Sequence, residues 1–411
     1  MKILVAHNYY GDFAQGGEAI VFEQEVALLR RFGHDVVTYV RANSEIDKLP
    51  WRRRITVPLR FAGDREVYEH TRATLESFCP DVVHVHNYKY LITPAIFQAA
   101  RDANVPTVLT LHNYRLLAPC GQLRRGQTLC QECMTSRPER ALWRKGCAAS
   151  VQGRVLQYLF YRATRRQVVQ NVDAFIALTL FARELFIQGG LPQRRVYYKP
   201  NFLPQLETGI QEANDRVHKD ETLGAIFVGR LAPEKGVRFL VNAWRKIDYP
   251  LTIVGDGPER DWLASVLPNV PQVRWLGARE HSETLQLIAR ANFLVFPSVW
   301  YECAPMTLLE ALRAGTPVVT SDLGGRREIV THEKSGLLYN ANDTASFCRA
   351  VERIIADGEL RASLSRGALE KFRSEFTHER NYDMLMAIYR DAQENSRARL
   401  GKGANFQGDA L

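Results

Sequence analysis

The sequence predicts an α/β protein made of two consecutive domains, each built on a parallel sheet. Three observations lead there. Short apolar runs alternate with segments whose apolar residues recur at helical spacing, the rhythm of βαβ units. A polar stretch at 204–221, PQLETGIQEANDRVHKDE, interrupts that rhythm near mid-chain and is the best linker candidate. The chain has 411 residues, which suits two domains of about 200 residues each. Its 46% hydrophobic and 24% charged residues are the mixture of a folded protein with a sizeable core.

In the first half, residues 2–6 are a short apolar run and 8–17 a glycine-containing loop. Residues 18–32 carry Ile20, Val21, Val26, Leu28 and Leu29 at helical spacing, Gly33 stops that helix, and 36–40 is the next strand. Further strands are expected at 81–86 and 105–111, with a helix at 93–103 between them. Residues 115–150 break the rhythm with four cysteines among Arg, Gln and Gly. A long basic helix at 151–171 follows, then a strand at 174–178, a helix at 180–188 ended by Gly189-Gly190, and a strand at 196–198.

After the linker the alternation restarts. Strands are expected at 224–228, 251–254, 273–276, 293–296, 318–320 and 337–339, and helices at 236–247, 261–266, 282–290, 306–314, 343–356, 359–372 and 380–395. The domains therefore read as 1–202, with an insert at 115–150, and 203–378. Residues 379–395 form a last helix expected to cross back to the first domain, and 396–411 a Gly-rich tail expected to be disordered.

The formal net charge of +9 admits nucleic acid, anionic lipid or phosphorylated small molecules as partners and does not choose among them. No run approaches the roughly 20 apolar residues of a membrane span. The opening MKILVA is too short for a signal peptide and reads as a buried first strand. A cytoplasmic protein is expected, with its seven cysteines reduced.

Two stretches have the makings of a site. In 227–236, FVGRLAPEKG, a strand ends at Gly229, Arg230 and Lys235 sit in a short loop, and a helix opens at Gly236. Two cations beside a helix start suit a diphosphate, although two solvated loop charges would look the same alone. In 296–314, a loop carries Glu302 and a helix carries Glu310. Between them the N–H groups of Met306, Thr307 and Leu308 open the helix and can meet a phosphate. Glu310 can accept both hydrogen bonds of a ribose diol.

In this order and spacing, Gly229-Arg230-x4-Lys235-Gly236, Val254-Gly255-Asp256-Gly257-Pro258, Glu302-x7-Glu310 and Ala314-Gly315-Thr316-Pro317-Val318-Val319 resemble the retaining nucleotide-sugar glycosyltransferases of family 4. More loosely, so do Gly16-Gly17, Val83-His84-Val85-His86-Asn87 and Leu109-Thr110-Leu111-His112. The resemblance covers roughly 1–115 and 150–395 and implies the GT-B fold, two Rossmann-like domains facing each other across a cleft. It implies that Arg230 and Lys235 bind the donor diphosphate, that Glu310 holds the ribose, and that Glu302 contacts the donor sugar. It also implies that His112 contacts the sugar and assists catalysis, that Gly16 and Gly17 let the backbone approach phosphate and acceptor, and that the base lies near 277–280. The chain departs from the family at Cys303-Ala304-Pro305, where Gly-Phe-Gly is usual.

The implied activity is transfer of a hexose-type sugar from a UDP- or GDP-sugar to a hydroxyl of a glycan or lipid-linked acceptor, without metal in the chemistry. Two other readings are a GT-B sugar-nucleotide epimerase and a non-catalytic polyanion binder. The nucleotide-sugar constellation counts against the polyanion binder, and no nucleic-acid partner is expected. Cys120, Cys130, Cys133 and Cys147, with a central Cys-x2-Cys, favour a structural zinc over four unconnected cysteines. Cys79, Cys303 and Cys348 read as isolated. Trp51-Arg52-Arg53-Arg54 and the segment 154–166, with Tyr158, Phe160 and Tyr161, are basic and aromatic together, which suits peripheral contact with an anionic membrane.

Overall fold

The computed structural model describes residues 1–11, 16–51, 60, 63–125, 128–134, 137–144, 146–148, 150–204 and 223–405. The linker candidate, beyond Pro204 and up to residue 222, lies outside the described residues, as do Arg52, Arg53 and Arg54. The chain forms two compact units. One comprises Met1–Gly126, Cys130–Pro200 and Asn381–Leu411, the other Gln127–Leu129 and Asn201–Arg380.

The first unit is built on six strands, β1 (Lys2–Tyr9), β2 (Asp35–Ala42), β3 (Val82–Asn87), β4 (Thr107–Leu111), β5 (Ala174–Ala177) and β6 (Val196–Tyr198). They lie in the order β2-β1-β3-β4-β5-β6, all parallel. Such a sheet is covered on both faces, so its strands read as apolar runs, and Ile3, Leu4, Val5 and Ala6 are fully buried. Helix Gly17–Arg31 packs Phe22, Val26 and Leu29 inward. Helix Arg65–Phe78, unassigned in the sequence reading, is capped by Asp64, whose carboxylate accepts from the N–H groups of Glu66 and Val67. It buries Val67, Thr71 and Leu75, spaced by four.

The last helix is longer than its sequence suggests. It runs from His378 to Asn405, so the tail expected to be disordered from Ser396 is helical up to that residue. Burial and charge explain the extension. Leu385, Ile388, Tyr389, Ala392 and Ser396 are buried, and Arg399 pairs with Asp173 at 2.6 Å. Asn395 also donates to the Asp173 carbonyl, at 3.2 Å.

The second unit repeats the plan with β7 (Ala225–Val228), β8 (Leu251–Val254), β9 (Val273–Trp275), β10 (Phe293–Phe296), β11 (Val318–Ser321) and β12 (Gly336–Tyr339), in the order β9-β8-β7-β10-β11-β12, all parallel. Trp244, Phe293 and Phe347 centre its core. In both sheets ligands are expected beyond the carboxyl ends of the strands, where the loops converge.

Candidate active site

In the second unit the loop after β7 and the loop after β10 are locked together. Gly236 has φ +75°, and a Cβ there would fall 2.3 Å from the carbonyl oxygen of Pro297, so only glycine lets the two backbones meet. The Glu234 carbonyl accepts from the Val299 N–H at 3.0 Å and from the Ser298 hydroxyl at 3.1 Å. This seam sets the two sequence-chosen charges face to face. Lys235 Nζ donates to Glu302 Oε1 at 2.7 Å, and Ser298 donates to the same oxygen at 2.8 Å. Burial works to raise the Glu302 carboxyl, but Lys235, its hydrogen bond and Arg326 outweigh it and hold the group below the usual range. Glu302 is therefore a carboxylate, able to accept hydrogen bonds from hydroxyl groups.

Arg230 sits in the same loop, largely exposed, its guanidinium on Glu234. Glu310 lies inside helix Met306–Ala314, and its Oε1 is 2.9 Å from His281 Nε2. That hydrogen bond raises the His281 imidazole above its ordinary value. The second oxygen of Glu310 keeps lone pairs for other donors. No side chain caps this helix, and the Leu308 N–H donates to the Pro305 carbonyl at 3.2 Å. Met306 and Thr307 open the helix ahead of it. The Cys303-Ala304-Pro305 turn is pinned by Asn201, which donates to the Ala304 carbonyl at 3.0 Å.

Two residues here escaped the sequence reading. His281 carries no motif. Arg326 is buried, donates to the Trp300 carbonyl at 2.7 Å and to Ser321, and stacks on Phe296. It supports the Glu302 loop from behind.

In the first unit His112 follows the last residue of β4. Its Nε2 lies 3.1 Å from Nδ1 of His86, whose Nε2 lies 3.1 Å from Oε1 of Glu25. Glu25 Oε2 accepts from Lys199 at 2.7 Å, and Lys199 also donates to Asn381 at 3.0 Å. His84 contacts Glu25 Oε1 and the Tyr389 hydroxyl, each at 2.9 Å, and Thr110 at 2.8 Å. Burial would raise the Glu25 carboxyl, but Lys199, His84 and His86 together hold it well below the usual range. Burial, then His86 and His7, depress the His112 imidazole, which is neutral. Burial lowers His84 to about 4.

Glu25, held ionised, can only accept, so His86 Nε2 carries the proton between them. With His86 Nδ1 as the acceptor, His112 Nε2 donates to it. Nδ1 of His112 is then the acceptor. Glu25, His84 and His86 are the one group among the described residues that brings three metal-ligand atoms within 4.8 Å of one another. The Lys199 ammonium already supplies the cation there, so the cluster reads as a charge-paired support for His112.

Gly16 and Gly17 open helix Gly17–Arg31, and a Cβ on Gly16 would meet nothing within 4 Å among the described residues. Glu18 follows them. Burial pushes its carboxyl up to about 7, against the pull of Arg115 and Lys89. Burial and Arg115 bring the Lys89 ammonium down to about 7, against Glu18. The sequence reading missed this trio. Its only signal is position, since each member lies just past a loop glycine or a strand end.

Comparison with known proteins decides the family. The family model "Glycosyl transferase 4-like domain" matches residues 16–202 and "Glycosyl transferases group 1" matches 210–371. A protein named glycogen synthase of Mycobacterium tuberculosis is 32% identical over 437 residues, covering 97% of this chain and 96% of that one. The chain is a glycosyltransferase of this 4-like, group 1 family. Its fold is GT-B. HepE of Anabaena, solved with UDP, superimposes with a TM-score of 0.66 at 18% identity, over 94% of this chain and 99% of that one. Sucrose-phosphate synthase from Thermosynechococcus elongatus does so with a TM-score of 0.68 at 18% identity, over 95% and 98%.

The glycosyltransferase gathers its four insert cysteines into electrostatic reach of one another. Burial, then Cys120, Cys147 and Cys130, push the Cys133 thiol up to about 12. Their sulfurs are nevertheless not among the atoms that come within 4.8 Å as a ligand group. All seven cysteines are free. The basic-aromatic helix needs a correction. Phe160 and Tyr161 are buried, and Arg165 turns inward to the carbonyls of Leu116 and Gly189, at 2.9 and 2.6 Å. No helix among the described residues is long and apolar enough to cross a membrane.

Proposed function

We propose that this glycosyltransferase moves a hexose-type sugar from a UDP- or GDP-sugar to a hydroxyl of a glycan or lipid-linked acceptor, with retention of anomeric configuration, in the synthesis of a cell-surface polysaccharide or glycoconjugate. The observation that carries the reading is the Lys235–Glu302 pair at the ends of β7 and β10, with Arg230 beside it and Glu310 one loop away. In the reaction the bond from the anomeric carbon to the diphosphate oxygen breaks. Arg230, Lys235 and the start of helix Met306–Ala314 take up the developing charge, which is why the chemistry needs no metal. Glu302 holds sugar hydroxyls and Glu310 the ribose. The acceptor oxygen bonds to the anomeric carbon on the face the diphosphate leaves, and its proton passes to a leaving phosphate oxygen. His112 accepts a hydrogen bond from the donor sugar through Nδ1. The glycogen synthase relative and the neighbours solved with UDP and UDP-glucose support this donor class.

A panel of nucleotide sugars tests the reading. One UDP- or GDP-sugar raises the unfolding temperature and is slowly hydrolysed with chelator present, and Glu310→Ala abolishes the shift. Absence of any shift, or a Glu310→Ala protein that responds like wild type, overturns it. NMR of the product's anomeric proton reads retention directly.

Cys120, Cys130, Cys133 and Cys147 are proposed as thiolate ligands of a structural zinc that closes the insert, apart from the chemistry. The Gln131–Met134 turn, with the Met134 N–H donating to the Gln131 carbonyl at 3.0 Å, supports the central pair. Elemental analysis of protein purified without chelator gives about one zinc per chain if this holds. Zinc-free, fully folded protein refutes it. The free cysteines suit a reducing cytoplasm.

A further inference from the structure

Helix Val151–Asn171 buries one side and shows the other. Phe160, Tyr161, Thr164, Val168 and Asn171 face the first unit. The opposite side carries Val151, Val155 and Leu159, spaced by four and exposed, with Leu156 exposed beside them. Val151 is 62% and Leu159 54% exposed. The same line continues through Arg162 and Arg166, also exposed. From residue 151 to 166 it spans about 22 Å. Trp143, the last residue of the short helix Arg140–Trp143 that precedes it in the chain, is 81% exposed, more than any other large apolar residue among those described. The long helix has four arginines and not one Asp or Glu.

An exposed apolar line of this length needs a partner. We propose that this face docks on a bilayer of anionic lipids, with Trp143, Val151, Val155 and Leu159 entering the headgroup layer and Arg162 and Arg166 meeting the lipid phosphates. The composition chooses the occupant. Apolar residues and an aromatic next to arginines that form no ion pair among the described residues match a surface that is apolar beneath and negative above. A second copy matches poorly, because self-association brings a helix without carboxylates, on a chain of charge +9, against its own charge. The surface differs from the one expected from Phe160 and Tyr161, which are core residues.

This inference deepens the proposed lipid-linked acceptor but stands without it, since docking requires no sugar. The test is co-sedimentation of the full chain with phosphatidylcholine vesicles, alone and mixed with phosphatidylglycerol. Binding to the mixed vesicles only, weakened by salt, is expected. Arg162→Gln with Arg166→Gln lowers the partition coefficient about 25-fold, each charge contributing about fivefold. Val155→Ser with Leu159→Ser lowers it about tenfold. All these positions are exposed, so the donor-induced rise in unfolding temperature is unchanged, which separates this test from that of the donor site. Binding to neither vesicle, equal binding to both, or a dimer in sedimentation equilibrium that Leu159→Ser dissolves would each overturn the proposal.

Discussion

In the second unit the charged side chains of the site come mostly from two short stretches, around 229–236 and 297–310. In the first unit the polar side chains come from His7, Glu25, His84, His86, His112, Lys199, Asn381 and Tyr389, scattered over the length of the chain. Among the described residues each unit holds one lysine–glutamate pair at 2.7 Å, Lys235–Glu302 and Lys199–Glu25. Lys199 and Glu25 are fully buried, whereas Lys235 keeps 22% of its side chain exposed. The same bond thus serves two purposes. In the first unit it neutralises a charge inside the core and anchors the histidines. In the second it holds a cation at the rim, where under the proposed function Lys235 exchanges the carboxylate for a donor phosphate.

The sharpest way to break this contrast is to cut both pairs. Lys199→Met leaves Glu25 buried without its cation and costs about 3–5 kcal/mol of stability. Lys235→Met costs clearly less stability, because water reaches the rim, but lowers kcat by about 100-fold or more through lost charge stabilisation. Denaturant unfolding and initial rates on both variants measure this. Equal stability losses would erase the distinction.

A smaller effect sharpens the role of the buried chain. His86→Leu removes the acceptor that sets the His112 tautomer, and kcat falls about tenfold with the donor KM little changed. His86→Asn, whose side-chain oxygen replaces Nδ1, recovers part of the rate. Nitrogen-15 NMR of histidine-labelled protein shows His112 protonated on Nε2 in the wild type and mixed in His86→Leu. A wild-type His112 protonated on Nδ1 contradicts the proton order described.

The smallest expected effect is pH-dependent. Glu18 titrates at about 7 when folded and near the ordinary carboxylate value, 4.5, when unfolded. Between those values the folded state holds the extra proton, so this group's contribution to stability falls as pH rises. Lys89 acts oppositely above pH 7, where the unfolded state keeps its proton longer. Glu18→Gln should therefore gain unfolding temperature over wild type as pH rises from about 5 to 8. Parallel melting curves across that range would remove Glu18 from the account.

Legibility in the sequence follows the same division. Arg230 and Lys235 are near neighbours along the chain, and so are Glu302 and Glu310, so the spacing within each pair is visible without coordinates. His281 and Arg326 are brought to them only by the folded sheet. Glu25 reads as one carboxylate among several on an amphipathic helix, and Lys199 as a charge at a strand end. Their pairing spans 174 residues and leaves no local trace. The strands were readable as apolar runs because both faces of each sheet are covered, whereas their order in the sheets was not. Phe160 and Tyr161 misled because composition records what a helix carries and not which side it shows. The last helix was cut short at Asn395 because its Gly-rich end hides the anchor that Arg399 finds on Asp173.

That last helix has a consequence for synthesis. Asn381 bonds Lys199 and the Pro200 carbonyl, and Tyr389 bonds His84. On a ribosome the strands of the first unit emerge early, yet two partners of their buried polar groups are translated some 180 and 300 residues later. Until then Lys199 and His84 each lack one native partner, although both can already reach Glu25. The half of the molecule made first is the half finished last, and a nascent chain released before Asn381 leaves a sheet whose central charges are incompletely bonded.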